Sequence, residues 1–291
     1  MTEDTLIAHE SGTFEIAGKQ VARLGFGAMR LTGPGIWGEP ADREECRRVV
    51  RRAVELGVQL IDTADSYGPH VSEEIIREAI HPYPDDVLIA TKAGLTRSGP
   101  DEWAPVGRPE YLRQELEMSL RRLGLDRIDL FQLHRIDAKV PLEDQIGELK
   151  KFQDEGKIVA IGLSEVTVDE IEECRRIAEI VTVQNRYNLT DPTSEDVVDH
   201  CTREGIGFIP WAPVAAGELV EPGRLVDTIA KRHEATPGQV ALAWLLARTE
   251  VMLPIPGTSR VTHLDENVKA ARLALDPEEV DQLTRAAREA A

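Results

Sequence analysis

Residues 42–65 read DREECRRVVRRAVELGVQLIDTAD and place a helix directly before a strand. Cys46, Val49, Val50, Ala53 and Val54 recur at helical spacing. Asp42 supplies an N-cap, with Glu45 three residues on, and Gly57 supplies the stop. The strand begins at Val58 and ends on an acid, Asp62, with Tyr67 and Gly68 just beyond. A buried apolar strand that ends in a carboxylate implies a use for that charge.

The same unit recurs in both directions along the chain. Upstream, GTFEIAGKQVARLGFGAMR reads as a short hairpin running into a strand near Arg23–Met29. Downstream, helical SEEIIREAI leads to VLIATKAG, and RPEYLRQELEMSLRRLG leads to IDLFQLHR. PLEDQIGELKKFQDEG leads to IVAIGLSEV, and TVDEIEECRRIAEI, with its capping pair Thr167 and Glu170, leads to VTVQNRYN. SEDVVDHCTREG leads to IGFIPWAPV; helical stretches over 222–233 and 237–248 precede VMLPIPG, and two more helices follow. The count is eight strands, each followed by helix, with no linker dividing residues 1–291. Strictly alternating elements imply right-handed crossovers and a parallel sheet. The expected fold is a single α/β domain, a (β/α)8 TIM barrel with a short N-terminal β-hairpin. An open doubly wound sheet is the alternative.

The chain has 291 residues, a 42% hydrophobic content and a net charge of −18. That charge argues against nucleic-acid and anionic-membrane partners. Cys46, Cys174 and Cys201 form no CxxC or pairing pattern, which suggests a reducing compartment. The acidic start, MTEDTLIAHE, lacks a signal-peptide core, and no run approaches a membrane span, so a cytoplasmic location is expected. GTFEIAGKQ misses the P-loop spacing, GFGAMR lacks the third glycine of a dinucleotide fingerprint, and there is no GxSxG or HExxH. No metal site is expected. Asn188-Leu189-Thr190 matches a glycosylation acceptor by chance.

From the second strand to the seventh, each ends on a polar or aromatic residue: Asp62, Lys92, His134, Ser164, Gln184 and Trp211. In a barrel these ends converge on one mouth. An ammonium at Lys92 would draw the Tyr67 pKa down toward the working range, Asp62 would keep Lys92 charged, and His134 could donate to a carbonyl. The set suits proton delivery to a carbonyl oxygen. A structural Asp62–Lys92 pair and a satisfied core histidine are the plainer reading.

With IDTADSYG, TKAG, QLHR, GLSEV, VQNRYN, IPWAPVAAGEL and PIPGTSRVTHLDEN in this order, the sequence resembles the aldo-keto reductase family over nearly its whole length. The resemblance implies an NADPH-dependent reductase of aldehydes or ketones that binds NADPH/NADP+ in an extended pose. It casts Tyr67 as general acid, Lys92 and Asp62 as its tuning pair, and His134 as the group orienting the carbonyl. Ser164 and Gln184 would hold the nicotinamide carboxamide, with Trp211 stacked on the ring. Gly257, Thr258, Ser259 and Arg260 would line the 2′-phosphate region, where the start of a helix offers backbone N–H groups. His263, Glu266 and Asn267 would face the phosphate or adenine. Glu165 stands where the family often has Asn, His263 where many members have Arg, and Trp211 where Tyr or Phe is commoner. A short end after the last helix implies an open site walled by LTGPGIWGEP and LTRSGPDEWAPVG, with Trp37 and Trp103 as pocket candidates. The different-class alternative is a cofactor-binding regulatory or scaffold subunit with slow turnover, like the channel-associated β-subunits.

Overall fold

The structure is a computed structural model and describes residues 6–214 and 225–289. Strands β1 (Thr13–Ile16) and β2 (Lys19–Ala22) form the expected antiparallel hairpin. The barrel staves are β3 (Phe26–Gly27), β4 (Leu60–Asp62), β5 (Leu88–Ala93), β8 (Ile128–Leu133), β9 (Ile158–Ser164), β10 (Ile180–Gln184) and β11 (Gly207–Phe208). They form one seven-stranded sheet, ordered β11-β10-β9-β8-β5-β4-β3, with every pairing parallel.

The expected eighth strand, VMLPIPG, is not a regular strand. Pro254 and Pro256 have no N–H to donate, so a two-way ladder cannot form there. Their carbonyls still accept, from Gly25 N at 2.9 Å and Gly27 N at 3.5 Å. On the other side Leu253 N donates to Phe208 O at 2.8 Å. These bonds close the (β/α)8 barrel. The close approach explains two glycines of the GFG and PGT stretches. A Cβ on Gly27 would meet Ile255 O at 2.6 Å, and one on Gly257 would meet Gly27 O at 2.7 Å.

Helices α1 (Arg43–Glu55), α2 (Val71–Ile80), α3 (Pro109–Leu123), α4 (Leu142–Asp154), α5 (Val168–Arg175) and α6 (Glu195–Glu204) cover the outside. They are followed by α7 (Leu225–Arg232), α8 (Pro237–Arg248), α9 (Val261–Val268) and α10 (Pro277–Glu289). Thr167 and Glu170 form the expected capping box on α5. Asp42 caps α1 through Glu45 N at 2.8 Å, but the Glu45 side chain does not return to Asp42 and reaches Val261 N instead. Residues 222–224 of the expected 222–233 helix, and residues 215–219 of IPWAPVAAGEL, lie outside the described residues.

The wall LTRSGPDEWAPVG holds an unexpected hairpin, β6 (Leu95–Gly99) with β7 (Glu102–Pro105). Asn188 is fully buried and donates to Ala212 O at 3.0 Å, so no glycan is added there in the folded chain.

The period of two along each stave sorts the core into two surfaces. Ile61, Ile89, Phe131 and Leu133 face the helices. Leu60, Leu88, Ala90, Leu130 and Ala160 pack inside the barrel with Ile16 and Val21 of the hairpin. Continuing the inward register one step towards the C-terminal ends reaches Asp62, Lys92 and Gln132. An apolar plug therefore lies beneath a polar layer.

Candidate active site

Lys92 is wholly buried, and its Nζ donates to Asp62 Oδ2 at 2.6 Å and to Thr63 O at 2.8 Å. Its third contact is Tyr67 Oη at 3.4 Å. Asp62 Oδ1 accepts from Gln132 Nε2 at 3.0 Å and Gln184 Nε2 at 2.9 Å. The buried carboxylate thus has two amide donors besides its ammonium partner, which offsets the loss of water around both charges. Gln132 gave no signal in the sequence because it lies two residues before His134, the polar residue that marks the strand end. Its room comes from Gly162, where a Cβ would meet Gln132 Cγ at 2.8 Å.

The turn after β4 aims Tyr67. Thr63 N donates to Ala90 O at 2.8 Å, Asp65 N to Lys92 O at 3.1 Å, and Ser72 N to Tyr67 O at 3.2 Å. Gly68 has φ of 107°, a conformation that suits glycine. Tyr67 and His134 meet edge to face at 5.9 Å, and Ser66 Oγ lies 3.2 Å from His134 Nδ1.

Burial raises the Tyr67 pKa above its ordinary value, and Lys92 only partly offsets this. The expected lowering is therefore corrected: loss of phenolate hydration, helped by the Asp62 charge, outweighs the ammonium. Burial also pulls on Lys92, but Asp62 and Tyr67 outweigh it and leave the Lys92 pKa raised. Burial holds His134 well below the usual imidazole range, with Lys92, Arg135 and Arg97 adding to the effect. The site thus holds a neutral phenol, an ammonium and a neutral imidazole.

Three cavities share lining residues at this mouth. One, of ≈ 460 Å³, is lined by Tyr67, Trp103, His134, Arg135, Ser164 and Trp211 among others. The second, ≈ 230 Å³, shares Tyr67, Gln184 and Trp211 with it and reaches Arg30 and Gly257. The third, ≈ 980 Å³, continues past Arg30 to Ser259 and Arg260. Trp103 stands edge-on to Tyr67 at 6.5 Å. Trp37 does not line the first cavity: Ile36 does, while Trp37 bridges Gly68 through its backbone. Between the two tryptophans lies Arg97, 3.5 Å from the Trp103 centroid and 5.6 Å from that of Trp37. Arg97 donates to the carbonyls of Gly35, Ile36, Ser66, Gly99 and Glu102, tying three loops together. Nothing local in the sequence marks it for this work.

Gln184 commits its amide nitrogen to Asp62, and Ser164 Oγ accepts from Arg135 Nη1 at 3.1 Å. Glu165 turns away from the cavity at φ 56°. Its Oε1 accepts from Trp211 Nε1 and from Arg186 N, which fixes the indole plane. At the far end, Thr258 is buried and its Oγ1 accepts from Arg260 N at 3.1 Å, while Val261 N is taken by Glu45 Oε1 at 3.0 Å. Two of the N–H groups expected to face phosphate at the start of α9 are therefore already occupied. His263 is exposed, Glu266 and Asn267 are half-buried, and none of the three lines the described cavities. Among the described residues no group of acids, histidines and cysteines is placed to hold a metal ion.

An elongated channel with a glycine floor and two exposed arginines, Arg30 and Arg260, fits an extended dinucleotide. A sequence model of the Aldo/keto reductase family matches residues 23–288. An uncharacterised oxidoreductase of Schizosaccharomyces pombe is 52% identical over 93% of this chain and 88% of its own. Pyridoxine 4-dehydrogenase of Escherichia coli is 42% identical over 96% of this chain and 99% of its own. An aldo/keto reductase from Klebsiella pneumoniae, solved with NADP and acetate, superposes with a TM-score of 0.79 at 26% identity, over 94% of each chain. With the barrel and the strand-end constellation, these matches establish that the chain belongs to the aldo/keto reductase family of oxidoreductases.

Proposed function

We propose that the chain reduces an aromatic aldehyde of the pyridoxal type, taking the proton from Tyr67. As a family member it is an NADP(H)-linked carbonyl reductase, and NADPH, when bound, supplies the hydride. The observation that carries the residue assignment is the buried Asp62–Lys92–Tyr67 chain opening on a cavity with aromatic walls. Tyr67 Oη gives its proton to the carbonyl oxygen. Lys92 stands 3.4 Å away to stabilise the phenolate that remains, and Asp62 keeps Lys92 charged. With Ser66 donating to Nδ1, the His134 ring keeps its other nitrogen protonated and orients the carbonyl.

Ser164 and the side-chain carbonyl of Gln184 would hold the nicotinamide amide, and Trp211 would offer its face to the ring. Arg30 and the Gly257–Arg260 stretch would take the phosphates, with His263, Glu266 and Asn267 nearer the adenine rim. The substrate assignment draws on the pyridoxine-oxidising relative and on the flat walls offered by Trp103 and Trp211. Residues 1–291 act as one barrel domain. Cys46, Cys174 and Cys201 are free and buried, in keeping with a cytoplasmic enzyme. Among the described residues no helix is long and apolar enough to cross a membrane. A net charge of −18 leaves small carbonyl compounds, rather than nucleic acid, as partners.

The test is NADPH oxidation with pyridoxal, benzaldehyde and glyceraldehyde. The highest kcat/KM is expected for pyridoxal. A higher value for glyceraldehyde contradicts the substrate class. Tight NADPH binding without turnover of any aldehyde favours the regulatory-subunit alternative.

A further inference from the structure

Arg135 follows His134 and lines the same cavity as Tyr67, Trp103 and Trp211. It is half-buried. One nitrogen, Nη1, is committed, to His134 O at 2.7 Å and Ser164 Oγ at 3.1 Å. Among the described residues Nε and Nη2 make no hydrogen bond, and no carboxylate pairs with the guanidinium. The acid whose charge it feels, Glu165, has Oε1 turned to Trp211 and Arg186. Burial lowers the Arg135 pKa, as expected for a cation that has lost water without gaining a counterion.

The contrast with Arg97 is informative. Among the described residues Arg97 also lacks an ion pair, but main-chain carbonyls saturate all three of its nitrogens. Arg135 keeps the forked edge of its guanidinium for something else. A fork of N–H donors beside an apolar cavity is suited to an oxyanion, which it binds with geometry as well as charge. Because His134 and Arg135 are adjacent, an oxygen taken by Arg135 lies close to the carbonyl held by His134.

We propose that Arg135 is a specificity-determining residue that selects substrates carrying an anionic oxygen next to the reacting carbonyl. This rests on the carbonyl-reductase reading above and sharpens its substrate class. Two oxyanions have this placement: the phenolate ortho to the aldehyde of pyridoxal, and the carboxylate of a 2-oxo acid. Each has a neutral partner of nearly the same shape, 3-O-methylpyridoxal for the first and a 2-oxo ester for the second.

The experiment measures kcat/KM at saturating NADPH for pyridoxal against 3-O-methylpyridoxal, and for benzoylformate against methyl benzoylformate. Wild type, Arg135→Gln and Arg135→Lys are compared. The readout is the ratio within each pair, which a general structural loss does not move. In wild type the anionic member is preferred in at least one pair, and that pair identifies the oxyanion. Arg135→Gln reduces this preference about ten- to hundredfold, the effect of losing one charged hydrogen bond. Arg135→Lys, which keeps the charge without the fork, retains part of it. The proposal is overturned by a wild type without preference in either pair, a test that needs no variant to fold. It is also overturned by a preference that survives intact in Arg135→Gln. Collapse confined to the benzoylformate pair keeps the role of Arg135 and assigns its oxyanion to a 2-oxo acid carboxylate rather than to the pyridoxal phenolate. No turnover of any of the four compounds removes both.

Discussion

Tyr67 is a neutral phenol in a site that also holds a neutral imidazole, and both states follow from burial. In the reductive direction this is favourable, since the acid keeps its proton until the carbonyl oxygen takes it. The pH profile of aldehyde reduction should therefore show no inflection near 6.5, the ordinary His value, because the His134 pKa lies well below it. A fall in kcat/KM centred at pH 6–7 would contradict the neutral His134.

Asp65 is a second single-residue case. It is buried, and among the described residues no side chain donates to its carboxylate, which has only weak help from the Ser66 backbone N–H. Burial raises its pKa well above the usual carboxylate range; Glu73 and Glu115 add to this, and Arg122 opposes it. His70 and Tyr111 line the same small cavity. The native state therefore keeps a proton that the unfolded chain releases above about pH 4. Stability is lost as pH rises from the unfolded pKa towards the native one. Asp65→Asn does not titrate, so its melting temperature should exceed that of wild type by a margin that grows from pH 4 to pH 8. A variant less stable than wild type at pH 8 would show that Asp65 has an unseen partner.

Among the elements, α9 follows the Gly257–Arg260 stretch proposed to take the cofactor's phosphates. Its first N–H, on Val261, is capped by Glu45 of α1, and Arg48 holds the other Glu45 oxygen. This arrangement puts a carboxylate in the cavity that also contains Arg260. Arg260→Ala should weaken NADPH more than NADH, by roughly ten- to hundredfold in dissociation constant at fixed ionic strength. Glu45→Gln should act in the opposite sense, improving NADPH relative to NADH. Equal changes for the two cofactors would mean that these side chains support the loop rather than read the 2′-phosphate.

The same elements show what the sequence could disclose. Strand ends were legible because period-two alternation and a terminal polar residue are local signals, and Asp62, Lys92, His134, Ser164 and Gln184 all follow it. Glu45 looked like half of a capping box because its partner, Val261, lies more than two hundred positions away. The work of Gln132 and Glu165, and the reach of Arg97 to Gly35, Ile36 and Ser66, was hidden for the same reason: the groups they act on are distant in sequence. The β6–β7 hairpin was missed because its strands are short, polar and divided by Gly99-Pro100.

For the whole molecule, the apolar plug and helical shell hold a buried charge pair at a fixed distance from a phenol. Lys92→Met should abolish turnover and leave Asp62 buried with amide donors alone, at a cost on the order of 3–5 kcal/mol in stability. A variant that melts with wild type and keeps its rate would remove Lys92 from both roles. The central claim is that the proton reaches the carbonyl from Tyr67, and single-turnover NADPH oxidation by Tyr67→Phe tests it most directly. The variant should bind NADPH with nearly the wild-type dissociation constant and oxidise it roughly 10²–10⁴-fold more slowly with pyridoxal. A Tyr67→Phe enzyme that binds NADPH normally and reduces pyridoxal at the wild-type rate would contradict the account.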